Sequence, residues 1–77
     1  MSEETLVWIA RRLVDEPDAV RVETEERDDA VVLHLHVAPD DVGKVIGRQG
    51  RLARALRSIV RAAGARADRR FLLEIAD

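Results

Sequence analysis

Apolar side chains recur at Leu6, Ile9, Ala10 and Leu13, the three-and-four spacing of one helix face. Ser2 stands where it can cap that helix, and Glu3 and Glu4 fall in the first turn, beside the positive end of the helix dipole. The pattern predicts a helix from about residue 3 to 14, ended by Asp15-Glu16-Pro17-Asp18, because proline lacks a donor and disfavours helical geometry in the residue before it. The period then changes to two. Val20, Val22 and Thr24 alternate with Arg21, Glu23 and Glu25; Val31, Leu33, Leu35 and Val37 alternate with Val32, His34 and His36. This is a hairpin with one buried face, turning at Asp28-Asp29 through a loop that starts near Arg27, since Asp-Asp is a poor tight turn.

After Ala38-Pro39, Asp40 or Asp41 can cap a short helix, Val42 to Ile46, which runs into Gly47-Arg48-Gln49-Gly50. From Arg51 to Ala63 a second amphipathic helix puts Leu52, Leu56, Ile59, Val60 and Ala63 on one face and Arg51, Arg54, Arg57 and Arg61 on another. Gly64 is the expected helix stop, Ala65 to Arg69 a loop, and Phe71, Leu73 and Ile75 one side of a third strand. The order α-β-β-α-α-β implies an α+β fold: one three-stranded sheet with helices packed on one face.

Length limits this to a single domain, residues 1–77. With no cysteine there is neither a disulfide framework nor a thiolate metal site, which fits a reducing compartment and an expected cytoplasmic location. The N-terminus lacks the pattern of a secretory signal, and no stretch nears the ~20 apolar residues of a membrane span, so no membrane partner is expected. The net charge of −2 conceals a division. Residues 1–41 hold twelve acidic and four basic side chains, a net of −8; residues 42–77 hold nine basic and three acidic, a net of +6. Only the second half attracts an anion.

The segment Gly43-Lys44-Val45-Ile46-Gly47-Arg48-Gln49-Gly50-Arg51 carries the candidate chemistry. Glycines allow close backbone approach and positive φ, and the helix that follows offers free N–H groups and a positive dipole end. Lys44, Arg48, Arg51 and Arg54 add cations, and Gln49 can bond to a phosphate, sugar or base edge. Elsewhere the chemistry is thin. His34 and His36 share a strand face, but no third ligand completes a metal site. No catalytic set, cofactor or small-molecule substrate is legible. Trp8 reads as a core edge or protein contact, and the surplus of apolar residues on the helices fits an oligomer interface as well as a core. A helix-turn-helix over residues 41–63 is disfavoured because its second helix is too apolar for a major groove.

Val45-Ile46-Gly47-x-x-Gly50 resembles the signature of KH domains, and the element order that of the type II KH fold. Residues 37–57, Val37-Ala38-Pro39-Asp40-Asp41-Val42-Gly43-Lys44-Val45 through Leu56-Arg57, with Leu73-Glu74-Ile75, are similar to the small bacterial KhpA family. The resemblance implies a dimeric RNA-binding protein, an RNA chaperone or post-transcriptional regulator, that partners a larger KH protein of the KhpB or Jag kind in cell division and envelope growth. It implies a clamp on single-stranded RNA by Lys44, Val45, Ile46, Gly47, Arg48, Gln49, Gly50, Arg51, Leu52 and Arg54, with about four nucleotides held and Val45, Ile46 and Leu52 edging the base groove. Ala53 departs from the large aliphatic residue common at that place in KH domains, implying a shallower groove floor. The alternative is a protein-interaction module that pairs with itself or a larger KH chain, RNA being secondary.

Overall fold

The computed structural model describes residues 3–76. In chain order they form α1 (Glu3–Arg11), β1 (Arg21–Glu26), β2 (Val31–His36), α2 (Val42–Ile46), α3 (Arg51–Arg66) and β3 (Phe71–Ala76), with short 3-10 turns at Pro17–Ala19, Pro39–Asp41 and Arg48–Gly50. The order α-β-β-α-α-β and the α+β class are as the pattern predicts.

The sheet has the order β1-β2-β3 and is mixed. β1 and β2 are antiparallel, with Arg21 opposite His36 and Glu26 opposite Val31. A short connection suffices for such a pair, and residues 27–30 supply it, closed by Arg27 N–H donating to Ala30 C=O at 2.8 Å. β2 and β3 are parallel, Val31 beside Phe71 and His36 beside Ala76. A parallel neighbour must be reached by a crossover, and α2 and α3 make it. The glycine loop therefore sits at the corner between the two crossover helices.

One core cluster joins the layers: Leu6 and Ala10 of α1, Val31, Leu33 and Leu35 of β2, Val45 of α2, Leu56 and Val60 of α3, and Leu73 of β3. Truncating a fully buried member such as Leu35 to alanine costs about 2–5 kcal/mol, comparable with the whole stability of a domain this small. The opposite face of the sheet holds fully buried Val32, beside Leu72, and a polar ladder next to it. His34 Nε2 lies 2.8 Å from Glu25 and its Nδ1 3.4 Å from Glu74, and His36 Nε2 lies 2.7 Å from Glu23. The two histidines are thus spent on cross-strand carboxylates, and no group of metal-ligating side chains forms among the described residues.

The structure departs from the pattern in several places. The Ser2 cap lies outside the described residues. α1 ends at Arg11, earlier than residue 14, because its last turn tightens: Arg12 N–H donates to Ile9 C=O at 3.1 Å and Leu13 N–H to Ala10 C=O at 3.0 Å. Trp8 is not a core edge; it is 59% exposed, with the Arg12 guanidinium 4.3 Å above its ring. The buried face of β1 fades along the strand, from buried Val20 just before it to half-buried Val22 and exposed Thr24. Ile59 is exposed, whereas Ala53 is buried, so the inward face of α3 runs through Ala53, Leu56, Val60 and Gly64.

Gly64 does not stop α3, which continues to Arg66. A Cβ on Gly64 would lie 2.7 Å from the Arg69 carbonyl oxygen and 2.9 Å from Phe71 Cβ, so its hydrogen is what lets the chain fold back against the helix. The stop is a Schellman turn. Asp68 takes φ +57°, Arg69 N–H donates to Gly64 C=O at 2.7 Å, and Asp68 N–H to Ala65 C=O at 3.1 Å.

Candidate nucleic-acid interface

α2 closes with Gly47 N–H donating to Gly43 C=O at 2.9 Å, after which three residues of the loop take positive φ: Gly47 (+76°), Gln49 (+58°) and Gly50 (+72°). Gly47, with ψ 174°, occupies a backbone region essentially closed to other residues. A Cβ there would also lie 2.8 Å from Leu52 Cβ and 3.1 Å from Leu52 N. Gly50 is constrained by its backbone alone, since the nearest atom to a Cβ is Arg54 Nη1 at 3.7 Å. Gly50 N–H donates to Gly47 C=O at 3.1 Å, and the chain enters α3 with no side chain capping the helix start.

Arg48, Gln49, Arg51 and Arg54 are all exposed around this loop, and Arg51 Nη2 donates to Gln49 Oε1 at 3.4 Å. Ile46 is 37% exposed and Leu52 half-buried, giving the loop two apolar flanks. Two candidates stand apart from the rest. Val45 is wholly buried, so it supports the groove from within the core and offers no edge to a base. Lys44 turns away from an anion: its Nζ lies 3.1 Å from Asp15 Oδ2 and 3.6 Å from Asp41 Oδ1.

Of the two expected caps, Asp40 and Asp41, it is Asp41 that stands at the start of α2, but its side chain makes no capping bond to the helix. Its carboxylate instead accepts the Asp15 N–H at 3.2 Å and the Glu16 N–H at 3.0 Å. Burial pushes the Asp41 carboxyl up, but those two amides, with Lys44 beside it, outweigh the burial and hold it below its ordinary value. A hydrogen bond to Asp15 and that residue's charge hold the Lys44 ammonium above its ordinary value, with Asp41 adding to the effect.

The remaining cations of residues 42–77 fall into two groups. Arg69 and Arg70 pair with Glu26 and Asp29 of the hairpin, at 3.0 and 3.6 Å. Among the described residues, no carboxylate pairs with Arg48, Arg51, Arg54, Arg57, Arg61 or Arg66. At 100° per residue, Gly50, Arg54, Arg57 and Arg61 fall within one narrow stripe of α3 that starts at the loop. Its far end opens into a groove of about 500 Å³ between α3 and the edge strand β3, lined by Arg57, Arg61, Arg70, Leu72, Leu73 and Glu74. The helical spacing signals the arginine stripe; the contribution of Arg70, just before β3, and of Leu72 within it carries no such signal in sequence.

A glycine-bounded loop between two crossover helices, over a mixed three-stranded sheet in the order α-β-β-α-α-β, defines a type II KH domain. The family model for the KhpA/KhpB KH domain matches residues 3–75, and the chain belongs to that family. Among curated relatives, an RNA-binding protein KhpA of Halalkalibacterium halodurans is 58% identical over 77 residues, covering 96% of this chain and 99% of its own. The proteins of the same name from Treponema pallidum and Bacillus subtilis are each 47% identical, covering 100% and 97% of this chain and 96% and 93% of their own. The family is one of KH-domain binding modules rather than enzymes. No solved structure gave a significant match.

Proposed function

We propose that the chain binds single-stranded RNA, with the backbone of the strand held at Gly47-Arg48-Gln49-Gly50 and the start of α3. The observation that carries this reading is the set of cations around the loop: Arg48, Arg51 and Arg54 are exposed there with no carboxylate partner among the described residues, whereas Arg69 and Arg70, just before β3, are paired with Glu26 and Asp29. Unpaired guanidiniums beside a backbone that only glycine can follow suit phosphates and sugars approaching closely. The relatives' name, RNA-binding protein, supports the same ligand. Bases then lie toward Ile46 and Leu52. With a single exposed tryptophan, on the distant α1, there is little stacking, so affinity is modest and sequence preference loose.

An exposed patch of Ile59, Ala62, Ala63 and Ala67 with Arg66, about 630 Å³ in volume, lies on the side of α3 away from the arginine stripe. Pairing of two copies there leaves both clamps open and supplies avidity, and a KH domain of the KhpB kind can dock in the same way. A post-transcriptional regulator in the cytoplasm, acting in cell division and envelope growth, is the role the family resemblance carries. Competition tests the ligand class. Unlabelled single-stranded RNA should displace a labelled single-stranded pool, and a duplex of equal length should not; equal displacement by duplex overturns the proposal.

A further inference from the structure

We infer that Asp41 is a positioning residue for the glycine loop, and that Lys44 belongs to this lock rather than to the RNA-facing surface. Asp41 is the one charged side chain buried among the described residues, at 2% exposure. A buried carboxylate is costly unless every oxygen is satisfied. Here Oδ1 accepts the Asp15 N–H and lies within salt-bridge reach of Lys44, and Oδ2 accepts the Glu16 N–H. The two amides come from the turn after α1, 26 and 25 residues away in sequence. Asp41 thereby ties the first half of the chain to the start of α2.

That tie matters because α2 has five residues, too few to hold a helix by itself. Its direction is fixed by Asp41 at one end, by Val45 in the core, and by the Gly47 N–H bond to Gly43 C=O at the other end. Release of the first of these lets α2 swing, and Gly47 swings with it. Lys44 closes the lock from outside by bridging Asp15 and Asp41. Since one ammonium faces two carboxylates, an approaching phosphate meets a net negative charge there. The cations of the clamp are then Arg48, Arg51 and Arg54.

The consequence for RNA rests on the proposed function; the geometric claim does not, and one experiment separates them. Backbone amide NMR spectra of the free full chain are recorded for wild type, Asp41→Asn and Lys44→Met, and each protein is titrated with a labelled single-stranded RNA pool over a salt series. Asparagine replaces one acceptor oxygen with a donor facing an N–H. Asp41→Asn should move the amides of Gly47 to Gly50 as well as those of Asp15 and Glu16, and weaken RNA at least fivefold with an unchanged salt slope. Lys44→Met should leave the slope unchanged, whereas Arg54→Gln lowers its magnitude by about 0.7. Loop amides unmoved in folded Asp41→Asn, or a slope lowered by about 0.7 in Lys44→Met, overturn the inference. If Asp41→Asn does not fold, Lys44→Met decides alone: shifted loop amides with an unchanged slope support the lock, and unmoved amides overturn it. If wild type binds no RNA, the proposed function fails while the amide shifts still decide the positioning role.

Discussion

At the residue scale, Gly47 and Lys44 make the sharpest claims. A methyl group on Gly47 faces both a forbidden backbone region and a 2.8 Å approach to Leu52, so Gly47→Ala forces the loop to move or the domain to lose stability. Strain and overpacking of this kind together cost about 2–4 kcal/mol, and chemical denaturation followed by circular dichroism should show a lowered midpoint. Lys44 offers a pH test, because it is the sole lysine and the chain has no tyrosine or cysteine. Its raised pKa means the ion pairs contribute fully below the ordinary lysine value of about 10.4 and are lost as pH rises through the higher folded value. Asp41 has the opposite sign: its lowered pKa means a contribution present above about pH 4 and lost as pH falls through the folded value. Thermal unfolding against pH should decline at both ends for wild type, and Lys44→Met should abolish the alkaline decline alone. The lock around Lys44 was not legible in sequence, where Lys44 looks like one more cation beside the glycines; a partner as far along the chain as Asp15 cannot be seen in local spacing.

At the element scale, the ends of α3 show how far local pattern reaches. The start was readable, because Gly47 and Gly50 both need positive φ and stand where the two helical patterns meet. The end was misread at Gly64, because a glycine signals permissiveness without saying whether a turn or a close approach needs it. Here β3 presses on α3 at that point, and Asp68 takes the left-handed position instead. An aspartate held there costs about 1–2 kcal/mol relative to a residue without that steric conflict. Asp68→Gly should therefore stabilise the domain by roughly 1 kcal/mol, read as a melting temperature higher by about 4–8 °C. Gly64→Ala should do the reverse, by about 1–3 kcal/mol, since the added methyl meets a backbone carbonyl that cannot give way cheaply.

At the scale of the molecule, the charge division seen along the chain becomes a division of labour. Several cations of the basic half, Lys44, Arg69 and Arg70, are bound by carboxylates of the acidic half. The net of +6 thus overstates what an anion meets, and the cations of that half with no carboxylate partner among the described residues lie on the loop and along α3. Element order, sheet composition and the glycine loop were legible because each rests on periodicity or on glycine. Burial of Val45, exposure of Ile59 and Trp8, and the groove beside β3 were not, because they depend on how the helices seat against the sheet. The central claim, a single-strand clamp at Gly47 to Gly50, is tested most directly by fluorescence anisotropy of labelled single-stranded RNA. Wild type and Arg48→Asp/Gln49→Asp should be compared across a salt series, with circular dichroism confirming that both are folded. The account predicts a wild-type log-log salt slope of about −0.7 per phosphate contacted and a sharp loss of binding in the folded variant. Equal binding by the two folded proteins, or no binding by either, would contradict it and leave the fold serving protein assembly.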